Sequence, residues 1–210
     1  MTISTTPAPA RTDEAAFESR ISTKAVRRTG WAVAAGATLW SAIYFAFSPQ
    51  STDPTEMTII DLFAVPAQLA LMALVVTQLR TGATGVTRFA RGMLRVELVL
   101  LSLATLWSVL HGAVPAFRDD MWLAVLDVFW PLSMLGMFVI GVKIAFAGRW
   151  QGLARWYPLV AESWVFVTLP AMGIFGATVG RFVGATHLLI GYAALGVLLA
   201  LRPQLTGARD

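Results

Sequence analysis

Apolar residues run in six long blocks with short polar breaks between them, at 29–47, 57–79, 93–112, 121–147, 158–179 and 182–201. Each reaches the roughly 20 residues that an α-helix, rising about 1.5 Å per residue, needs to cross about 30 Å of hydrocarbon. The short segments of alternating polarity that a transmembrane barrel needs are missing. Backbone polar groups in lipid must be satisfied within the segment itself, and a helix does that. The pattern predicts an all-α integral membrane protein, a six-helix bundle.

Composition agrees. With 57% apolar and 13% charged residues, the chain has too little polar material to clothe a water-soluble domain, where about 25% charged is usual. Absence of cysteine excludes disulfides, thiolate nucleophiles, Cys-ligated zinc and iron–sulfur clusters.

The net charge of +4 is unevenly placed. Arg11, Arg20, Lys24, Arg27 and Arg28 precede the first block. Arg80, Arg88, Arg91 and Arg95 flank the second connection, and Lys143, Arg149 and Arg155 the fourth. Arg202 and Arg209 follow the last block. Of the sixteen basic residues, this leaves Arg118 and Arg181 for the alternate connections. The asymmetry predicts a multi-pass protein of the cytoplasmic membrane with both termini inside, and it makes a nucleic-acid partner unnecessary. Residues 1–28 read as a flexible cytoplasmic tail without the pattern of a cleavable signal. Residues 29–201 read as the membrane domain and 202–210 as a short cytoplasmic tail. Trp31, Trp150, Trp156 and Tyr157 are expected at the inner interface, Tyr44 and Trp122 at the outer one.

The blocks also echo one another. Ala37-Thr38-Leu39-Trp40-Ser41 recurs as Ala104-Thr105-Leu106-Trp107-Ser108, 67 residues on. Asp61-Leu62-Phe63 followed by Pro66 parallels Asp127-Val128-Phe129 followed by Pro131. Two parallel helical hairpins related by an axis along the membrane normal would produce this pattern, with a diverged third hairpin carrying His187. Chance similarity in a biased alphabet is the competing explanation.

Arg-Trp occurs at both 149–150 and 155–156 in the loop Gly148–Tyr157, which suits a short segment lying along the inner headgroups. This stretch, with Pro158-Leu159, resembles one in small six-helix polytopic membrane proteins of high-GC bacteria. The resemblance implies the architecture and brings no activity or site residue with it.

Ionisable groups inside a membrane helix are costly and need an explanation. They sort into an outer layer, Asp61, His111, Asp127 and His187, and an inner one, Arg95, Glu97, Lys143 and Glu162. Glu97, Leu101, Ala104, Ser108 and His111 share one helical face, and so do Gly30, Ala34, Ala37, Ser41 and Tyr44. Asp61 and Gln68 share another. Glu162 aligns with Gly173, Gly176 and Gly180, and His187 with Gly184, Gly191 and Ala194. Small residues mark close helix approach, so the candidate polar interior is Asp61, Gln68, Glu97, Ser108, His111, Asp127, Glu162 and His187.

Several readings compete. Asp61, His111, Asp127 and His187 could hold a divalent metal from four helices. His111 and His187 could ligate a haem axially in a membrane oxidoreductase. Asp61, Asp127 and His187 could lie on a transport path for protons or cations that ends at Glu97 and Glu162, with Pro66, Pro131 and Pro170 freeing carbonyls nearby. Each group also has a structural explanation: helix-dipole placement for the aspartates, local hydrogen bonds for the histidines, and snorkelling Arg155 or Lys143 for Glu97. A non-catalytic subunit or regulator, bound to a membrane-protein partner or to a second copy, completes the set. No nucleophile elbow, zinc-protease motif, P-loop or dinucleotide fingerprint is present.

Overall fold

In the computed structural model, residues 21–210 are described; most of the expected N-terminal tail lies outside them. Among the described residues there are nine α-helices and no strand. These are α1 (Thr23–Ala46), α2 (Pro54–Thr81), α3 (Arg88–Ala113), α4 (Met121–Asp127), α5 (Phe129–Ala147), α6 (Gly152–Ala161), α7 (Trp164–Phe175), α8 (Ala177–Leu188) and α9 (Ala194–Leu201). Ser22, Asp53 and Thr87 cap the first three through side-chain oxygens, and Asp53 Oδ1 accepts from the N–H groups of both Thr55 and Glu56 at 2.9 Å.

The helices run as six segments. Five are long and apolar enough to cross a membrane: α2, α3, α4 with α5, α6 with α7, and α8 with α9. The sixth, α1, has 24 residues but a more mixed composition, rich in Ala and Gly. Each segment packs on its neighbours in the chain, and α8 and α9 pack back on α1, which closes a ring in chain order. Large apolar side chains face outward around it, Leu69, Val96, Val139 and Ile174 among them. A water-soluble monomer does not carry an apolar surface this extensive.

The interior is filled rather than open. Trp40 of α1, Trp130 of α5 and Trp164 of α7 meet edge to face across the ring, with centroids 6.0 and 5.4 Å apart. At the α1–α9 crossing Gly30 faces Gly196 so closely that a Cβ on either would strike the other helix's backbone. Small residues thus set the tightest approach, as the face periodicity predicts.

Two interruptions differ from expectation. The fourth segment breaks at Val128, where Pro131 lacks the N–H that the Asp127 carbonyl would accept. Pro66, by contrast, sits inside an unbroken α2. The last hairpin turns at Gly176, with φ +87°, and not near residue 180. Arg181 therefore lies within α8 and not in a connection, while Gly173 and Gly176 are exposed instead of sharing a buried face with Glu162.

Features at the end of the bundle where α1 begins also depart from the forecast. Trp150, expected in the headgroups, is fully buried, and its Nε1 donates to Thr81 Oγ1 at 2.9 Å. The C-terminal residues are packed, with Pro203, Thr206 and Ala208 buried and Thr23 hydrogen-bonded to Asp210.

Candidate functional site

Two polar clusters occupy the interior. Toward the end of the bundle that carries residues 47–53 and 114–120, α2 brings Asp61 against His111 of α3. His111 Nδ1 donates to Asp61 Oδ2 at 2.6 Å, and Trp107 stacks on the imidazole with centroids 4.7 Å apart. Arg118 closes this end. Its Nε donates to His111 O at 2.9 Å and its Nη2 to Thr58 Oγ1 at 2.6 Å. The carbonyls left over at the end of α3 are satisfied in this way. Below the pair, Gln68 Nε2 donates to Ser108 Oγ at 2.8 Å, and Ser108 Oγ donates to Ala104 O. A cavity of about 170 Å³ beside the pair is lined by Asp61, Trp40, Tyr44 and Asp127. Asp127 itself is exposed, because the break at Val128 puts it at the end of a short helix.

The second cluster lies toward the opposite end. Glu97 of α3 and Glu162, between α6 and α7, are each 1% exposed. Both carboxyl groups lie against α5, Glu97 at Gly136 and Glu162 at Gly141. Gln78 of α2 donates Nε2–H to Glu162 Oε1 at 3.2 Å. Beyond that bond the cluster is open: Glu97 Oε1, Glu162 Oε2, Gln78 Oε1 and the Tyr192 hydroxyl are buried with no hydrogen-bond partner. No ion pair reaches either carboxylate among the described residues.

The local sequence explains the placement. Two glycines of α5 make room for the acids: a Cβ at Gly136 would collide with Glu97 Oε2, and one at Gly141 would come within 2.5 Å of Glu162 Oε2. Ser163 Oγ donates to Val160 O at 2.8 Å, competing with the helix backbone where α6 ends and Glu162 sits. Tyr192 is delivered by a π-helical turn, Leu189–Ala193, a feature that recurs at functional sites. Tyr157 OH donates to Ile190 O at 2.6 Å in that turn.

His187 departs from its expected layer. With the hairpin at Gly176, it lies about 15 Å along the helix from the turn, near the middle of the α8–α9 segment and against Ser163. It shares a 3.2 Å hydrogen bond with Ser163, whose own proton is directed to Val160. The proposed metal set of Asp61, His111, Asp127 and His187 is therefore not assembled, and no group of three or more such residues converges among the described residues. His111 and His187 do not line a common cavity: His111 bonds Asp61 through Nδ1 and stacks on Trp107, while His187 lines a separate cavity with Val183 and Ile190. Arg95 and Lys143 are exposed and outside the inner cluster. Arg155 does not reach Glu97; its Nε donates to Ala145 O at 2.8 Å.

Compared with protein-family models, with curated proteins and with solved structures, the chain matches none.

Sequence reasoning missed Gln78, Tyr192, Gly136, Gly141 and Ser163. Gln78 was findable, because it continues the buried face of Leu71, Leu74 and Val75 on α2. Tyr192 was not, since a π turn shifts the phase on which face assignment rests.

Proposed function

We propose that the chain is a six-span membrane protein that carries out cation or proton-coupled transport, with Glu97 and Glu162 as the ion-binding groups. The observation that carries this reading is the inner acid pair. Two buried carboxylates against the same stretch of α5, with no basic partner among the described residues, are strongly unfavourable unless a proton or a cation sits with them. The unpartnered Gln78 Oε1 and Tyr192 hydroxyl supply the further oxygen ligands such an ion needs. The location supports it too: the pair is held by segments three and five, with the fourth and sixth contributing glycines and Tyr192, so the ring's helices converge on it.

The basic residues favour a topology with both termini on the cytoplasmic face. Glu97 and Glu162 then lie in the cytoplasmic half of the membrane, and the Asp61–His111 pair near the outer face.

Reconstitution into vesicles with an imposed pH gradient and an entrapped pH dye tests this. Adding Na⁺, K⁺ or an organic ammonium is expected to drive proton exchange through the wild-type chain. Glu162→Gln slows it at least tenfold, the equivalent of about 1.4 kcal/mol. Exchange at the wild-type rate in a Glu97→Gln, Glu162→Gln double variant contradicts the reading.

A further inference from the structure

Glu97 has a second environment besides the acid pair. It forms the floor of a cleft of about 550 Å³ between α3 and α5 on the outer wall of the ring. That volume falls in the range of about 300–1,000 Å³ typical of small-molecule sites. The walls are Val96, Leu132, Leu135 and Val139, all exposed on the surface that faces lipid. Glu97 is the one ionisable residue among the lining residues. Gly92 and Gly136 hold the space open: a Cβ at Gly92 would meet nothing within 4 Å, and one at Gly136 would displace the carboxylate. Glu97 lies about two and a half turns into α3.

We infer that this cleft admits a hydrophobic organic cation from the cytoplasmic leaflet and seats its charge on Glu97. The inference deepens the transport reading, on which it rests, by naming the substrate class. The chemistry is complementary on both counts. Apolar walls open to acyl chains select a ligand that partitions into lipid, and a buried acceptor-only carboxylate with an unpartnered oxygen selects a positive charge. An inorganic ion would have to shed its hydration to pass such walls, and an anion would face Glu97 with nothing to offset it. Arrival of the cation at Glu97 displaces the proton from that carboxyl group, and the proton leaves to bulk solvent directly or by way of Glu162. Sideways entry from the bilayer is the route the geometry provides, because the Trp40–Trp130–Trp164 stack fills the centre of the ring.

Equilibrium binding of tetraphenylphosphonium to the full chain in phosphatidylcholine nanodiscs tests this, with empty discs as background. One saturable site per chain is expected, and tetraphenylborate, of like shape and opposite charge, should not occupy it. Glu97→Gln weakens binding about tenfold or more. Val139→Trp, which fills the cleft without touching the carboxylate, does the same and decides the matter if Glu97→Gln fails to fold. Arg118→Ala, at the opposite end of the bundle, leaves binding within about threefold of wild type. Equal binding of the borate, or wild-type binding in both cleft variants, overturns the inference. So does loss of binding when phosphatidylethanolamine is added, since a lipid amine is then the occupant. Binding is read without a gradient, so intact binding with no exchange sinks only the transport reading, and intact exchange with no binding sinks only the cleft.

Discussion

The two polar clusters are built from similar residues but finished differently. At the outer end Asp61 has His111, His111 has Asp61 and Trp107, and Arg118 closes the carbonyls above them, while Gln68 Oε1 and Trp40 Nε1 below the pair are buried without a partner. At the inner end two glutamates share one hydrogen bond, to Gln78, and leave four buried polar atoms without partners. Buried polar groups are ordinarily hydrogen-bonded, so a satisfied network reads as a device for holding helices together. The inner cluster differs in that its unpartnered atoms include oxygens of two buried carboxyl groups, the costliest groups to leave without a partner. The Asp61–His111 pair therefore accounts for packing of α2 on α3, and the inner cluster is the one on which the proposed function rests.

That contrast can be broken by exchanging the consequences of mutation. Glu97→Gln with Glu162→Gln should reduce proton–cation exchange to the level of protein-free vesicles, while the melting temperature in detergent holds or rises because an uncompensated pair of charges has gone. A smaller effect is expected from Gly136→Ala, whose methyl group forces the Glu97 carboxylate aside: exchange falls about tenfold with the fold retained. Asp61→Asn should do the reverse. It removes a charge-assisted hydrogen bond and destabilises the protein by about 2 kcal/mol in thermal unfolding, with exchange within about twofold of wild type. Arg118→Ala, which uncaps α3, is expected to lower stability by about 1 kcal/mol and leave exchange unchanged. Loss of exchange in Asp61→Asn with normal stability would place function in the outer cluster instead.

The spans were legible because hydrophobicity over some twenty residues is a strong signal, and so were the faces of α1 and α3. Gly30, Ala34, Ala37, Ser41 and Tyr44 are buried together, as are Glu97, Leu101, Ala104 and Ser108. Even the echo between the two helices has local content: Thr38 and Thr105 each donate to the carbonyl four residues back at 2.7 Å. Its second half does not carry over. Asp61 is buried in a continuous helix, whereas Asp127 is exposed at a break, since Pro131 falls in the first turn of α5 and Pro66 in mid-helix.

Depth was harder to read than face. Periodicity locates a residue around a helix, but its height depends on where the turn before it falls. Four residues' difference at Gly176 moved His187 out of the outer cluster to a position against Ser163. The glutamates were recognised as interior groups, but their lack of partners was not, because satisfaction depends on which helices meet. That required the ring order, and with it Gly136 and Gly141 as the reason the acids fit.

The most direct test of an open inner cluster and a closed outer pair is labelling with N,N′-dicyclohexylcarbodiimide, a lipid-soluble reagent that attacks protonated carboxyl groups. Mass spectrometry of the labelled chain in nanodiscs should find the adduct on Glu97 or Glu162, reduced by tetraphenylphosphonium, with Asp61 unmodified in its bond to His111. Modification of Asp61 with both glutamates untouched is the result that contradicts the account.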